Sequence, residues 1–191
     1  MDNAPPIGDL RLLGDGRGAL LITPGAEVVW WCTPRFDSDP TFWSLLDNDG
    51  AAARFVDVRP LDRSTEPAGA TTWTRLQTLS GTVEVRDCLV DGELIRLVSA
   101  ISGQVDVCLS VSFPTFGSGT PAADQPMRLR APSGDAVAVS ITPGEVALVD
   151  ATDAAARCDA AEHKFRRQAR VHATSAQRDR VHDAFAVISL L

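Results

Sequence analysis

From Ala53 to Asp150 the apolar residues fall in short alternating runs. Val83 and Val85, Val105 through Val111, Val137 and Val139, and Val146 and Leu148 recur at every second position, the period that lines up side chains on one face of a strand. Between the runs stand Ser80-Gly81, Asp91-Gly92, Ser102-Gly103, Ser133-Gly134-Asp135 and Pro143-Gly144, residue types that supply tight hairpin turns. Strands at spacings of about ten residues joined by such turns predict an antiparallel sheet folded into a sandwich or barrel. Alternation is cleanest over Gln104 to Val111, where Val105, Val107, Leu109 and Val111 share one face and the other is polar. Arg59 to Ala70 and Pro114 to Pro126, rich in Pro, Gly, Ser and Thr, read as surface loops.

Ahead of this region an apolar strand Ala19 to Ile22 and a second strand Glu27 to Cys32 flank Thr23-Pro24-Gly25-Ala26. Proline presets the first turn angle and glycine takes the positive one, so the two strands pair as a hairpin. Gly14-Asp15-Gly16 is a turn that opens the unit. Gly14, Gly16 and Gly18 beside Arg17 are turn glycines rather than a phosphate cradle, because a strand follows where a helix is needed. The loop from Cys32 to Pro40 concentrates Pro34, Arg35, Asp37, Asp39 and Pro40. Beyond it, Phe42, Leu45 and Leu46 stand at helical spacing behind Asp39-Pro40, a cap and first-turn pair. That pattern predicts a helix of two turns, closed where Gly50 takes the left-handed angle of a helix exit.

After Asp150 the pattern turns helical, which divides the chain into a β domain over residues 1–150 and a helical linker or extension over 151–191. Thr152 or Asp153 caps a helix running to Arg167, with Glu162 and Arg166 ordered for an ion pair one turn apart. A second helix, Ser175 to Leu191, places Val181, Ala184, Phe185, Ile188 and Leu191 on one face. Burying such a stripe is worth about 1.5–3 kcal/mol per large side chain, and two copies of it are self-complementary about a two-fold axis. A homodimer or higher oligomer is therefore expected.

Composition narrows the function classes. The 191 residues are 45% hydrophobic and 23% charged with a formal net charge of −7, ordinary for a globular domain and wrong for a dedicated nucleic-acid binder. No apolar run of about 18 residues is present and the first residues lack a signal-peptide pattern, so a cytoplasmic protein without a membrane segment is expected. Cys32, Cys88, Cys108 and Cys158 have no metal-ligand spacing and read as buried free thiols. The three histidines, His163, His172 and His182, do not share a helix face. Neither a metal nor a cofactor is expected.

The sharpest candidates for chemistry are Arg35, Phe36, Asp37 and Ser38 in the loop. An arginine beside a carboxylate can clamp sugar hydroxyls, and an aromatic between them can stack on a sugar or a partner. The alternative is that Arg35 and Asp37 pin the loop by an internal ion pair while Phe36 plugs the core. Trp30 and Trp31 are neighbours on one strand, so one is core and the outward one is a sugar platform or a docking face. Trp43 and Trp73 are expected in the core or at the junction of helix and sheet. Carboxylates such as Asp37, Asp39, Asp47, Asp57, Glu84 and Asp87 are plentiful, yet none is marked as the acid and base pair that glycoside hydrolysis uses.

The run from Ile7 to Leu21, then Val29-Trp30-Trp31-Cys32-Thr33-Pro34-Arg35-Phe36-Asp37-Ser38, Phe42 and Leu45-Leu46-Asp47 resembles the amino-terminal β-sandwich of glycoside hydrolase family 15, the bacterial glucoamylase and trehalase-like enzymes. Thr82 to Asp87 and Leu94 to Val98 resemble the strands that follow. The resemblance implies a mainly β, antiparallel super-sandwich with a short helix after the second strand and a helical carboxy-terminal extension. It also implies a helical (α/α) barrel that supplies paired catalytic glutamates, which have no counterpart in these residues. The expectation is a non-catalytic domain that supports or completes the pocket of a barrel hydrolysing trehalose or an α-glucan. A free-standing carbohydrate-binding module and an assembly protein are the alternatives.

Overall fold

The computed structural model describes residues 6–61, 69–115 and 120–170, the side chains of 168–170 excepted. A single 3-10 turn, Ile7–Asp9, leads into β1 (Arg11–Gly14), β2 (Ala19–Ile22), β3 (Val28–Cys32), β4 (Pro40–Phe42) and β5 (Ala53–Val56). Then come β6 (Arg59–Pro60), β7 (Thr71–Gln77), β8 (Gly81–Val90), β9 (Glu93–Gly103), β10 (Val105–Val111), β11 (Gln125–Ala131), β12 (Ala136–Thr142) and β13 (Glu145–Val149). One α-helix follows, α1 (Ala151–Arg170).

The strands form two antiparallel sheets. The first has the order β1-β2-β3-β5-β10-β11 with β4 on β3, and the second β13-β12-β9-β8-β7-β6. Their facing sides share one apolar core, to which Leu20, Trp31, Phe42, Val85, Val98, Leu109 and Ile141 contribute. This is the expected sandwich, and β10 follows its pattern: Val105, Val107, Leu109 and Val111 are buried, while Asp106 on the other face pairs with Arg128 of β11 at 2.6 Å. The turn at Asp91-Gly92 joins β8 to β9 with both residues at positive φ, as a tight two-residue hairpin requires.

Helix α1 makes a third layer on the outer face of the second sheet. Ala154 and Cys158 pack against Cys88, Ile95, Leu97 and Ala138, and Phe165 reaches Ala70 and Leu12 at the seam where the two sheets meet. Arg11 closes the same seam from β1, donating through Nη1 to Thr72 Oγ1, the Trp73 carbonyl and Thr74 Oγ1 at 3.1, 2.6 and 2.9 Å.

Several local expectations are corrected. No helix follows the second hairpin strand; Pro40–Phe42 is β4, paired to β3. Phe42 is worth more against Trp31 and Phe113, at ring-centroid distances of 5.5 and 5.9 Å, than on a short helix left half in water. The amides that a helix would use go elsewhere: Trp43 and Ser44 N–H bond to the Ala51 carbonyl and Leu45 N–H to that of Val29. Gly50 is required for a different reason than a helix exit, since a Cβ there would meet the Trp43 ring at 2.6 Å. An additional strand, β1, precedes the Gly14-Asp15-Gly16 turn and pairs with β2. In the Thr23-to-Ala26 turn the positive φ of 59° falls on Ala26 rather than Gly25, and the Ala26 carbonyl accepts a hydrogen bond from Arg96 of β9.

The cap of α1 is Asp150, whose Oδ1 accepts the Asp153 N–H at 2.8 Å. Glu162 and Arg166 pair at 2.7 Å, as their spacing predicts. Cys32, Cys88 and Cys158 are buried free thiols, whereas Cys108 is half-buried. The second helix expected over Ser175 to Leu191, with Val181, Phe185, Ile188 and Leu191, lies outside the described residues.

Candidate functional site

Three connections meet at one end of the sandwich. The β1–β2 turn is built on Asp15, whose Oδ1 accepts the N–H groups of Arg17 and Gly18, both at 2.9 Å. The other carboxylate oxygen, Oδ2, accepts the Gly92 N–H of the β8–β9 turn at 2.9 Å. One side chain thus ties the first sheet to the second. Gly92 also lies against the loop that follows β3, for a Cβ there would sit 3.2 Å from Thr33 Oγ1. That loop is in turn held by the Phe36 N–H, which bonds to the Arg17 carbonyl at 2.7 Å.

Within the loop, Arg35 makes a two-pronged ion pair with Asp37, Nε to Oδ1 at 2.9 Å and Nη2 to Oδ2 at 3.2 Å. Ser38 closes the turn, its Oγ accepting the Arg35 N–H at 3.2 Å and its own N–H bonding to the Arg35 carbonyl at 3.1 Å. The backbone is fixed, while the side chains project. Arg35 and Asp37 are 69% and 53% exposed at the side chain, and Phe36 is 50% exposed. The internal ion pair exists, but Phe36 plugs no core. The loop thus presents an apolar ring to solvent beside an exposed ion pair.

The two adjacent tryptophans divide between faces as strand geometry demands. Trp31 is fully buried in the core and is not a sugar platform. Trp30 lies half-buried on the outer face of the first sheet, opposite Leu21 of β2. Burial raises the Cys32 thiol above its ordinary value, against a hydrogen bond with Trp30 that lowers it. Trp43 is half-buried against the core. Trp73 is 39% exposed on β7, with the Arg86 guanidinium 4.7 Å from its ring centre and the Nη1 of Arg86 bonded to Asp159 of α1 at 2.7 Å. It therefore stands at the helix and sheet junction with part of its ring in solvent.

Next to the loop end, Glu93 at the start of β9 pairs with Arg157 of α1. The hydrogen bond from Arg157 holds the Glu93 carboxyl below its ordinary value, outweighing partial burial. Sequence reasoning found the loop but not Asp15, Gly92 or Glu93 as its neighbours. An aspartate between two glycines signals a turn that bonds its own backbone; nothing in that signal points to an amide far along the chain. Among the described residues no helix is long and apolar enough to cross a membrane.

Comparison with known proteins agrees with this architecture. The family described as "Trehalase-like, N-terminal" matches residues 1–150, ending one residue before α1 begins. A trehalase of Mycobacterium tuberculosis is 32% identical over 139 residues, covering 59% of this chain and 20% of that protein. A trehalase of Mycolicibacterium smegmatis is 31% identical over 139 residues with the same coverages. The chain thus spans about one fifth of the length of the curated relatives it matches. No solved structure matches it. A family match over residues 1–150 of a 191-residue chain, on an antiparallel two-sheet fold, places the protein in the trehalase-like amino-terminal domain family.

Proposed function

We propose that this chain is the non-catalytic amino-terminal domain of a glycoside hydrolase family 15 type enzyme acting on trehalose or an α-glucan, and that its loop end supports or completes the pocket of a catalytic barrel. The observation that carries the reading is Phe36, held half in solvent by a backbone bond to the Arg17 carbonyl and flanked by the Arg35–Asp37 pair. The match to about a fifth of each mycobacterial trehalase supports it, because the greater part of those proteins lies outside the matched segment. A catalytic role for the sandwich itself finds no support in the site: its one arginine-bound loop carboxylate, Asp37, is tied to Arg35 rather than paired with a second acid.

A second reading, a carbohydrate-binding module, is favoured by the partly exposed Trp73 ring backed by Arg86. Calorimetric titration with trehalose, maltose and malto-oligosaccharides separates the two. The support domain gives no saturable heat alone, whereas a binding module titrates and loses the signal in Trp73→Ala. Saturable binding that survives Trp73→Ala and is lost in Phe36→Ala would assign the loop to sugar rather than to a barrel. The cytoplasmic location and self-association remain parts of this proposal, the latter tested by sedimentation of the full chain against one ending at Asp150.

A further inference from the structure

Cys88 and Cys158 stand far apart in the sequence but belong to one apolar cluster. Cys88 is on the outward face of β8, opposite Ile95 of β9. Cys158 is on the face of α1 that covers it, one turn after Ala154. Neither has any exposed surface, and the two thiols adjoin closely enough that each is the largest influence on the other's ionisation. The helix is registered over this point from both sides. Arg157, before Cys158, pairs with Glu93 of β9, and Asp159, after it, pairs with Arg86 of β8 at 2.7 Å. Glu93 and Arg86 lie on either side of Cys88 in the β8–β9 ladder. The neighbouring helix and sheet positions are alanines, Ala154, Ala155, Ala161, Ala136 and Ala138, which let α1 approach the sheet closely.

We propose that Cys88 and Cys158 form a dithiol modification site, which a small peroxide converts to an intramolecular disulfide that staples α1 to the second sheet. In the first step Cys158 gives up its proton, the thiolate attacks one oxygen of the peroxide, the O–O bond breaks, and the leaving hydroxide takes up the released proton to become water. The product is a sulfenic acid on Cys158. In the second step the Cys88 sulfur attacks the Cys158 sulfur, the S–O bond breaks, and the oxygen leaves as water with the Cys88 proton. Two thiols lose two protons and two electrons, and hydrogen peroxide is reduced to two waters. Cys158 is the attacking sulfur because the adjoining Cys88 thiol and the Arg86 guanidinium favour its thiolate against burial, whereas the adjoining Cys158 and burial hold Cys88 protonated. Cys32 and Cys108 have no such partner among the described residues. The site does not depend on the role assigned to the loop end.

The test uses the full reduced chain, freed of reductant and treated with hydrogen peroxide, then alkylated in urea and digested without reduction. The expected product is a peptide containing Cys88 joined to one containing Cys158, lighter by two hydrogens, with Cys32 and Cys108 alkylated. The oxidised chain should melt at a higher temperature than the reduced one, and a reductant should reverse the shift. In Cys158→Ala, shown to be folded by its circular dichroism, Cys88 should remain alkylatable after the same treatment. Recovery of both Cys88 and Cys158 as alkylated thiols from the treated wild-type chain would overturn the proposal, as would linkage of either to Cys32, Cys108 or a second chain.

Discussion

Arg96 of β9 stands directly opposite Asp87 of β8 inside the core, with both side chains fully out of solvent. Its Nε meets Asp87 Oδ1 at 2.7 Å and its Nη2 meets Oδ2 at 3.1 Å, while Nη2 also bonds the Ala26 carbonyl and the guanidinium lies 4.7 Å from the Phe55 ring centre. The pair therefore joins the second sheet to a turn and a strand of the first. Removing one partner strands a charge in the core. Asp87→Ala should cost about 3–5 kcal/mol in urea unfolding, and replacing both residues with Leu and Met should cost far less. Equal losses from the single and double variants would show that the pair's own attraction, not the stranded charge, dominates.

Asp15 is the knot of the loop end, accepting from three backbone amides. Asp15→Ala leaves those donors without their partner and should lower stability by about 1–3 kcal/mol. Asp15→Asn keeps one carbonyl acceptor and should fall between the two. Hydrogen exchange checks the assignment, with faster exchange expected at Arg17, Gly18 and Gly92 together.

Arg35 and Asp37 make a well-aligned pair that stays in water, and exposed pairs contribute about 0–1 kcal/mol. Arg35→Ala and Asp37→Ala should leave the melting temperature nearly unchanged. A large loss of stability from either would assign the pair to holding the fold and remove it from the proposed contact with a barrel.

The Glu93–Arg157 pair predicts an acid-dependent weakening of helix docking. Arg157 holds the folded Glu93 carboxyl below its ordinary value of 4.5. The folded pKa lies under the unfolded one, so the contribution is complete above the unfolded pKa and is lost as pH falls through the folded value. Thermal melts from about pH 7 to about pH 3 should show a shallower acid loss in Glu93→Gln than in the wild-type chain. Asp106, held low by Arg128, contributes to the remaining slope in both. Superimposable profiles would show that Glu93 does not report on the helix.

Where burial follows a local period, the sequence is readable. Val105, Val107, Leu109 and Val111 alternate and are buried, and Asp91-Gly92 turns where it must. It misleads where a distant contact outweighs the local pattern. Phe42, Leu45 and Leu46 keep helical spacing, yet Phe42 is drawn into a strand by Trp31 and Phe113. Arg35, Phe36 and Asp37 were visible as a concentration of charge and ring, but their supports were not. Asp15 meets Gly92, and Cys88 meets Cys158, only once the sheets and helix have assembled. Neither partner carries a spacing signal, because the chain between them sets the contact only through the whole topology.

The proposed role, support of catalysis by a sandwich that does not itself perform it, excludes turnover by this chain alone. Glucose release from trehalose by the purified chain, followed through successive chromatographic steps, tests that most directly. Release no greater than that of buffer is expected at every step. Activity that co-purifies with the chain and vanishes when one of its own carboxylates is replaced by the corresponding amide would contradict it.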